Sequence, residues 1–189
     1  IAHPPGYAFY TLVAKLWQLL VPIGTIAFRT NLLSAAVGAW TVTVVYLLVR
    51  DLQAALSPPH QGSEMGRSLA ALLVALFGAL ALAAAPDLWQ HAIHANAHIL
   101  SAALAVTHLW LLVRWWRTGC DAWLAAFAVA LGLAATHHPI TMMGVPAYGL
   151  FILVVQPRLL FRWRTVLLLI GCLLLGLSPL LYYPLRGPS

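Results

Sequence analysis

The sequence contains few charged residues and few cysteines. Of its 189 residues, 7% are charged and only four are acidic, whereas a soluble domain carries about 25% charged residues. An ordinary soluble enzyme is therefore excluded. Cys120 and Cys172 lie far apart and form no CxxC or other metal-ligand spacing, so we predict that they are packing residues. The sequence also lacks a P-loop, a GxGxxG turn and a GxSxG elbow, which excludes the nucleotide-binding and hydrolase sites that those motifs build.

Long apolar runs occupy most of the chain. Hydrophobic residues make up 62% of the sequence and the mean hydropathy is +0.90, and the runs reach the roughly 17 to 25 residues needed to cross a bilayer. The composition predicts an all-α, polytopic transmembrane helical bundle that forms a single membrane-embedded domain over residues 1–189. The six predicted spans cover residues 31–50, 68–85, 92–113, 120–136, 140–156 and 165–184.

The segment before these spans has a different pattern. Thr11, Lys15 and Gln18 recur at i, i+4 and i+7 on an otherwise apolar helix, which is typical of a helix that lies in the membrane interface. The preceding HPPGY cannot be helical, because Pro4 forces His3 into an extended conformation and Pro5-Gly6 is a turn pair. We therefore predict an N-terminal interfacial helix.

Arginines occur in alternate loops. Seven lie in the segments 50–67, 114–121 and 156–164, and the intervening loops APDLWQ and THHPIT have none. Cationic loops are retained in the cytoplasm, so we predict that the histidine-rich loops face the extracytoplasmic side of a plasma (inner) membrane. This topology also explains the net charge of +6, and we expect no nucleic-acid partner.

The stretch HAIHANAHIL, residues 91–100, concentrates imidazoles. His91, His94 and His98 follow at i, i+3 and i+7, and we expect them to share one helix face near the outer end of the third span. Such a face could bind zinc or copper, line a wet cleft or contact an anionic ligand. Only His94 and His98 have the i, i+4 spacing of common zinc helices. We therefore assign no cofactor from the sequence and keep a divalent metal as an alternative.

Two further groups of polar residues lie on the predicted outer side. His137 and His138 precede Pro139 at a break between two short spans, where either a turn held by imidazole hydrogen bonds or one site-facing histidine is expected. Arg29 and Arg186 either reach toward lipid headgroups or bind a phosphate.

One carboxylate belongs to this outer set. Asp87 is the only acid on the predicted outer side. It is expected to be a helix N-cap, or a base if the chain supplies one.

Several blocks resemble a known family. HPPGY, AFRTNLLSA and SPLLYYPLR, in this order together with LWQHAIHANAHIL and GLAATHHPITMM, are similar to the bacterial multi-pass membrane family related to protein O-mannosyltransferases, in the GT-C superfamily of glycosyltransferases. The resemblance extends over essentially the whole chain. It implies transfer of a sugar from a polyprenyl-phosphate donor in the lipid bilayer to a Ser or Thr hydroxyl of an exported protein acceptor.

The resemblance also implies where the site lies. The family's acidic motif and its preceding span are expected upstream of Ile1, so the catalytic residue of this chain is unknown. Family members commonly have Glu where this chain has Asn96 and Tyr where it has His98, and an amide can position a hydroxyl but cannot take its proton. We expect the substrate-binding residues to be His3, Tyr7, Arg29, Asn96, His98, His138, Tyr183 and Arg186.

Two other classes of function remain open from the sequence. A transporter of a lipid-linked substrate would also need a polar cleft inside an apolar bundle, but it would be expected to contain internal repeats. A non-catalytic membrane scaffold or metal-binding protein would account for Asn96 and the neighbouring histidines without transferase chemistry.

Overall fold

The computed structural model describes residues 7–56 and 64–181, and over these residues helices are the regular secondary structure and there is no strand. This confirms the prediction of an all-α protein. In these residues, three short 3₁₀-helices cover Pro139–Met142, Pro157–Phe161 and Ser178–Leu181. The α-helices are α1 (Ala8–Leu20), α2 (Ile26–Leu56), α3 (Glu64–Ala83), α4 (Pro86–Ala92), α5 (His98–Thr118), α6 (Asp121–Ala135), α7 (Val145–Val155) and α8 (Trp163–Leu177).

The described helices differ in their ability to cross a membrane. Three are long and apolar enough: α2, α5 and the stretch Trp163–Leu181. A fourth candidate is the pair formed by Ser68–Ala83 and α4, which is bent by 61°. α6 and the stretch Pro139–Val155 are shorter apolar helices. Each of the six predicted apolar segments therefore overlaps a helix, but length and hydropathy support three crossings, or four with the bent pair, among the described residues.

The N-terminal segment folds as a helix that is tied to the start of α2. α1 ends before Pro22, and α2 begins after Thr25, whose Oγ1 accepts a hydrogen bond from the backbone N–H of Phe28 at 3.2 Å. The indole N–H of Trp17 donates to the carbonyl of Arg29 at 3.0 Å. The helical part of the N-terminal prediction is confirmed, and its position in the membrane interface stays a prediction.

α5 is the central helix of the bundle. It packs against α2 on one side and α6 on the other, and α6 packs in turn against α8. The main apolar core lies between α5, α6, α7 and the turn after α7; its buried members are Leu111, Leu112, Trp115, Leu124, Phe127 and Leu159. Small residues allow the close crossing of α6 and α8, since a Cβ added to Gly132 would lie 2.8 Å from the Cα of Gly176.

Ion pairs join the arginine-bearing segments at one end of this bundle. Asp51, at the end of α2, accepts from Arg114 at 3.0 Å and from Arg117, both in the last turns of α5. Asp121, in the first turn of α6, pairs with Arg162 at 2.6 Å. The segments predicted to share one membrane face thus lie together, at the end of α5 that is opposite His98.

Candidate functional site

The helical chain breaks at residues 93–97, between α4 and α5. The backbone N–H of Ala95 donates to Asn31 Oδ1 at 2.8 Å, and that of Asn96 donates to Ser34 Oγ at 3.3 Å. The backbone N–H of His98 donates to Asn96 Oδ1 at 2.8 Å. Polar side chains here bind N–H groups that a continuous helix would use internally. The prediction that three histidines share one face of a span starting at residue 92 is therefore wrong, because His91 lies in α4, His94 in the break and His98 at the start of α5.

The break meets two other chain segments and forms a cluster of aromatic rings. We call Tyr7, His91, His98, His137 and His138 the histidine cluster. Tyr7 stacks on His138 with ring centroids 5.4 Å apart and 22° between the planes. His98 lies edge-on to His138 at 5.9 Å and to His91 at 6.1 Å. The cluster thus brings together the start of α1, the break before α5 and the turn after α6.

Asn96 links the break to the imidazoles. Its amide Nδ2 donates to His91 Nδ1 at 2.6 Å and reaches His94 Nε2 at 3.5 Å. Within residues 7–56 and 64–181, the His, Cys, Asp and Glu side chains form no group of three that could hold a metal ion. The lone pair on His91 Nδ1 that could bind a metal accepts a hydrogen bond from the Asn96 amide, and a role for a divalent metal stays a prediction.

Tyr7 has an unusual backbone. It has a φ of 26° and a ψ of 44°, and among the described residues it is the one non-glycine residue with a positive φ. Such a conformation costs roughly 1 to 3 kcal/mol and occurs mainly where the surroundings hold the residue for function. The ring contacts of Tyr7 with His137 at 5.5 Å and with His138 fix it here.

His137 forms the floor of the histidine cluster. Its side chain is almost completely buried, at 1% exposure, and its Nε2 donates to the carbonyl of Ala97 at 3.0 Å, which joins the turn after α6 to the break before α5. Burial lowers the pKa of His137 to about 4, the hydrogen bond to Ala97 opposes this shift, and the nearby His138 and His98 add to it. His137 is therefore neutral near pH 7, with the proton on Nε2.

The expectation that at most one of His137 and His138 faces a site stays a prediction, but the two rings do lie together. Both rings contact Tyr7, because His138 is extended (φ −157°, ψ 140°) before Pro139 and this conformation turns the two rings to the same partner. His138 Nδ1 also accepts from the backbone N–H of Ile140 at 3.1 Å. The predicted turn held by an imidazole hydrogen bond is thus present as well. Sequence reasoning left His137 out of the site, and its only signal was adjacency to His138.

Arg29 lies apart from the contacts of the histidine cluster. Its guanidinium donates to the carbonyls of Gln18, Ile23 and Gly24, at 3.0, 3.1 and 3.0 Å, and so closes the loop between α1 and α2. Three of its five N–H donors are used in this way. Its part in phosphate binding stays a prediction.

The other predicted site residues have different outcomes. Asp87 is exposed in the first turn of α4, and the helix N-cap is Ala85. The prediction of an Asp87 N-cap is wrong because Pro86, whose φ suits the first helical position, begins the helix one residue earlier. His3, Tyr183 and Arg186 lie outside the described residues.

An apolar groove lies beside the break. It has a volume of about 490 Å³, in the range of small-molecule sites, and runs between α2, the end of α3 and α4. Its larger apolar lining residues are Phe28, Leu32, Leu88, Trp89 and Ile93. Asn31 also lines it and hydrogen-bonds the break through Ala95. One end of the groove therefore adjoins the segment that carries Asn96 and the histidines.

Comparison with known proteins identifies the family. The model of the protein O-mannosyl-transferase TMEM260 N-terminal domain matches residues 1–160. The mouse protein O-mannosyl-transferase TMEM260 is 30% identical over 201 residues, which cover 99% of this chain and 25% of the mouse protein. The chain thus spans about a quarter of the length of that curated relative, and no solved structure matches it. Since the family model covers most of the chain, the chain belongs to the TMEM260 N-terminal domain family of protein O-mannosyl-transferases.

Proposed function

We propose that the chain is the donor- and acceptor-binding part of a membrane glycosyltransferase that moves a sugar from a polyprenyl-phosphate to a Ser or Thr hydroxyl of an exported protein. One observation carries this proposal: an apolar groove and a polar cluster meet at the break between α4 and α5. A lipid-linked sugar has the same two parts, an apolar tail and a polar head. The related mouse protein is named as a protein O-mannosyl-transferase, which supports the same chemistry.

The proposed topology follows from the two ends of α5. This helix has 21 residues and at 1.5 Å per residue extends about 30 Å, the thickness of the hydrocarbon core of a bilayer. The histidine cluster lies at its first residue and the Asp51 ion pairs lie at its end. In the proposed GT-C-like arrangement of six spans, the arginine end faces the cytoplasm and the histidine cluster faces outward from the bacterial inner membrane.

The polar groups suit recognition of the donor head. His98 is exposed and His91 and His138 are half-buried, so their imidazoles are within reach of a ligand. A protonated or neutral imidazole can donate to a phosphate oxygen. Asn96 holds His91 and the start of α5 in place through its amide. We assign the phosphate to this rim of the cluster and the lipid tail to the groove.

The transfer step needs a base. The hydroxyl oxygen of the acceptor forms a bond to the anomeric carbon, the bond from that carbon to the phosphate oxygen breaks, and the hydroxyl proton passes to a base while polyprenyl-phosphate leaves. Asn96 cannot be that base. We assign the role to a carboxylate of the family's acidic motif, with a divalent metal as an optional assistant, and Asp87 is the carboxylate to test within this chain.

The experiment is transfer by the full-length protein in proteoliposomes. Polyprenyl-phosphate hexose and a Ser/Thr-rich exported acceptor are supplied, with and without a chelator, and His98→Ala is compared with Arg164→Gln, a change at the arginine end. We expect transfer by the wild type and by Arg164→Gln, and a loss of at least tenfold for His98→Ala. Absence of transfer by the wild type with all substrates bound would contradict the proposal, and tight zinc binding without transfer would favour a metal-binding scaffold.

A further inference from the structure

Two buried polar atoms at the floor of the histidine cluster have no hydrogen-bond partner in the described part of the chain. They are Tyr10 Oη and His137 Nδ1. The two rings are neighbours, with centroids 6.4 Å apart. Buried polar atoms in native proteins are nearly always paired, so two adjacent orphans need an explanation.

The two atoms have complementary hydrogen-bonding roles. Because His137 Nε2 donates to the carbonyl of Ala97, Nδ1 carries a lone pair and is an acceptor. Burial raises the pKa of Tyr10, and the nearby Ser34 offsets this only in part, so the phenol keeps its proton and is a donor. Ser34 Oγ lies near the phenol but forms its hydrogen bonds elsewhere: it donates to the carbonyl of Thr30 at 3.5 Å and accepts from the N–H of Asn96 at 3.3 Å.

We propose that Tyr10 and His137 form a recognition site for one hydroxyl group of the substrate. A hydroxyl is both donor and acceptor, so a single oxygen can accept from the Tyr10 O–H and donate to His137 Nδ1. The ring centroids lie 6.4 Å apart, and the proposed oxygen would bridge Tyr10 Oη and His137 Nδ1 with two hydrogen bonds of about 2.8 Å. This inference rests on the proposed function and adds two residues to its site.

The position and the charge state favour a hydroxyl over a phosphate. The His137 ring lies 5.5 Å from Tyr7, which stacks on His138, so it belongs to the cluster to which we assign the polar end of the substrate. A neutral imidazole whose Nδ1 is an acceptor repels a phosphate oxygen and binds an O–H. The hydroxyl belongs either to the sugar of the donor or to the Ser or Thr of the acceptor.

Equilibrium binding to the full-length protein in detergent tests the inference. The ligands are a polyprenyl-phosphate hexose, its deoxy analogues, and a Ser-containing acceptor peptide with its Ala counterpart. We expect Tyr10→Phe, which removes one oxygen and keeps the ring, to weaken binding of the hydroxyl-bearing ligand roughly five- to tenfold. It should bind the analogue that lacks that hydroxyl as the wild type does. A deoxy-sugar effect assigns the site to the donor, and a Ser-to-Ala effect assigns it to the acceptor.

Two further variants make the test robust. His137→Gln keeps a donor for the carbonyl of Ala97 and removes the Nδ1 acceptor, so it should reproduce the effect of Tyr10→Phe. Tyr148→Phe removes a phenol that lies against His108 and Phe127 in the bundle core, and it should bind every ligand as the wild type does. If both Tyr10→Phe and His137→Gln still discriminate between each ligand and its hydroxyl-free analogue, a structural water fills the gap and the inference is wrong.

Transfer measured in parallel separates this inference from the proposed function. Hydroxyl-dependent binding without transfer would support the Tyr10–His137 site and contradict the glycosyltransferase proposal. Sugar transfer by the wild type, with Tyr10→Phe and His137→Gln still discriminating between each ligand and its hydroxyl-free analogue, would support the glycosyltransferase proposal and contradict the Tyr10–His137 site. A wild type that binds none of the ligands would overturn the inference directly.

Discussion

The ring of Tyr7 stacks on that of His138, with centroids 5.4 Å apart and 22° between the planes. The backbone of Tyr7 has a φ of 26°, so the stacked ring is held by a residue in a conformation that most side chains avoid. The pair joins the start of α1 to the turn after α6. In the proposed enzyme it forms the wall of the substrate site above His137.

Substitutions at Tyr7 distinguish the contribution of its ring stacking from that of its backbone conformation. Tyr7→Gly removes the stack, worth about 1 kcal/mol, and at the same time relieves the positive φ. We therefore expect the melting temperature to change little while transfer falls at least tenfold. Tyr7→Phe keeps the ring and should retain most of the transfer. Equal losses in both variants would mean that the hydroxyl, and not the stack, is what matters.

The apolar runs predicted most of the helices but not their crossings. Runs such as 120–136 and 140–156 are apolar enough to be recognised, and the chain is helical there. Their helices, however, are short: α6 has 15 residues and α7 has 11. Hydropathy reports the environment of a segment and not where its helix stops, because the stop depends on turn residues such as Pro139.

The clustering of the candidate residues was predicted in part, and their role in binding stays a prediction. Tyr7, His98 and His138 do meet, together with His91, and Asn96 lies beside them. The shared helix face failed because Asn31 and Ser34, more than 60 residues away in the sequence, bind the backbone of the break. A periodicity argument sees only local spacing, so it cannot detect a helix interrupted by side chains of another helix.

Acidic pH should destabilise the fold through His137. Its pKa is about 4 in the folded chain against about 6.5 when unfolded, so the unfolded state binds more protons between these values. Stability is therefore fully present above pH 6.5 and is lost as the pH falls toward 4, by at most about 3 kcal/mol. Thermal unfolding in detergent at pH 7.5, 6 and 4.5 measures this.

His137→Gln provides the control for the acid effect. The amide does not titrate and can still donate to the carbonyl of Ala97, so the drop in melting temperature between pH 7.5 and 4.5 should be smaller than in the wild type. An identical drop in both proteins would assign the acid sensitivity to other groups.

The crossing of α6 and α8 should tolerate no side chain at Gly176. An added Cβ would lie 2.9 Å from the Cα of Gly132 and closer still to the carbonyl oxygen of Val129. Because backbone atoms cannot move aside cheaply, we expect Gly176→Ala to destabilise the protein by about 1 to 3 kcal/mol. Gly171→Ala is the matched change on the same helix, where a Cβ meets nothing within 4 Å. It should be neutral or stabilising, since Ala favours helix, and similar melting temperatures for the two variants would contradict the close crossing.

Asp51 should matter more to stability than Asp121, although both pair with arginine. The Asp51 side chain is 8% exposed and accepts from Arg114, Arg117 and the indole of Trp110. Asp51→Asn leaves two partly buried guanidinium groups without their anion, and breaking such a pair costs about 3 kcal/mol. The Asp121 pair is 25% and 44% exposed, so water replaces the lost partner and Asp121→Asn should cost less than about 1 kcal/mol. Thermal unfolding of both variants at low and high salt checks the order.

Loss of Asp51 should also affect substrate binding, because α5 connects this charge cluster to the histidine cluster. We expect binding by Asp51→Asn to fall only in proportion to the fraction of unfolded protein. A selective binding defect in a fully folded Asp51→Asn protein would show instead that the two ends of α5 are coupled.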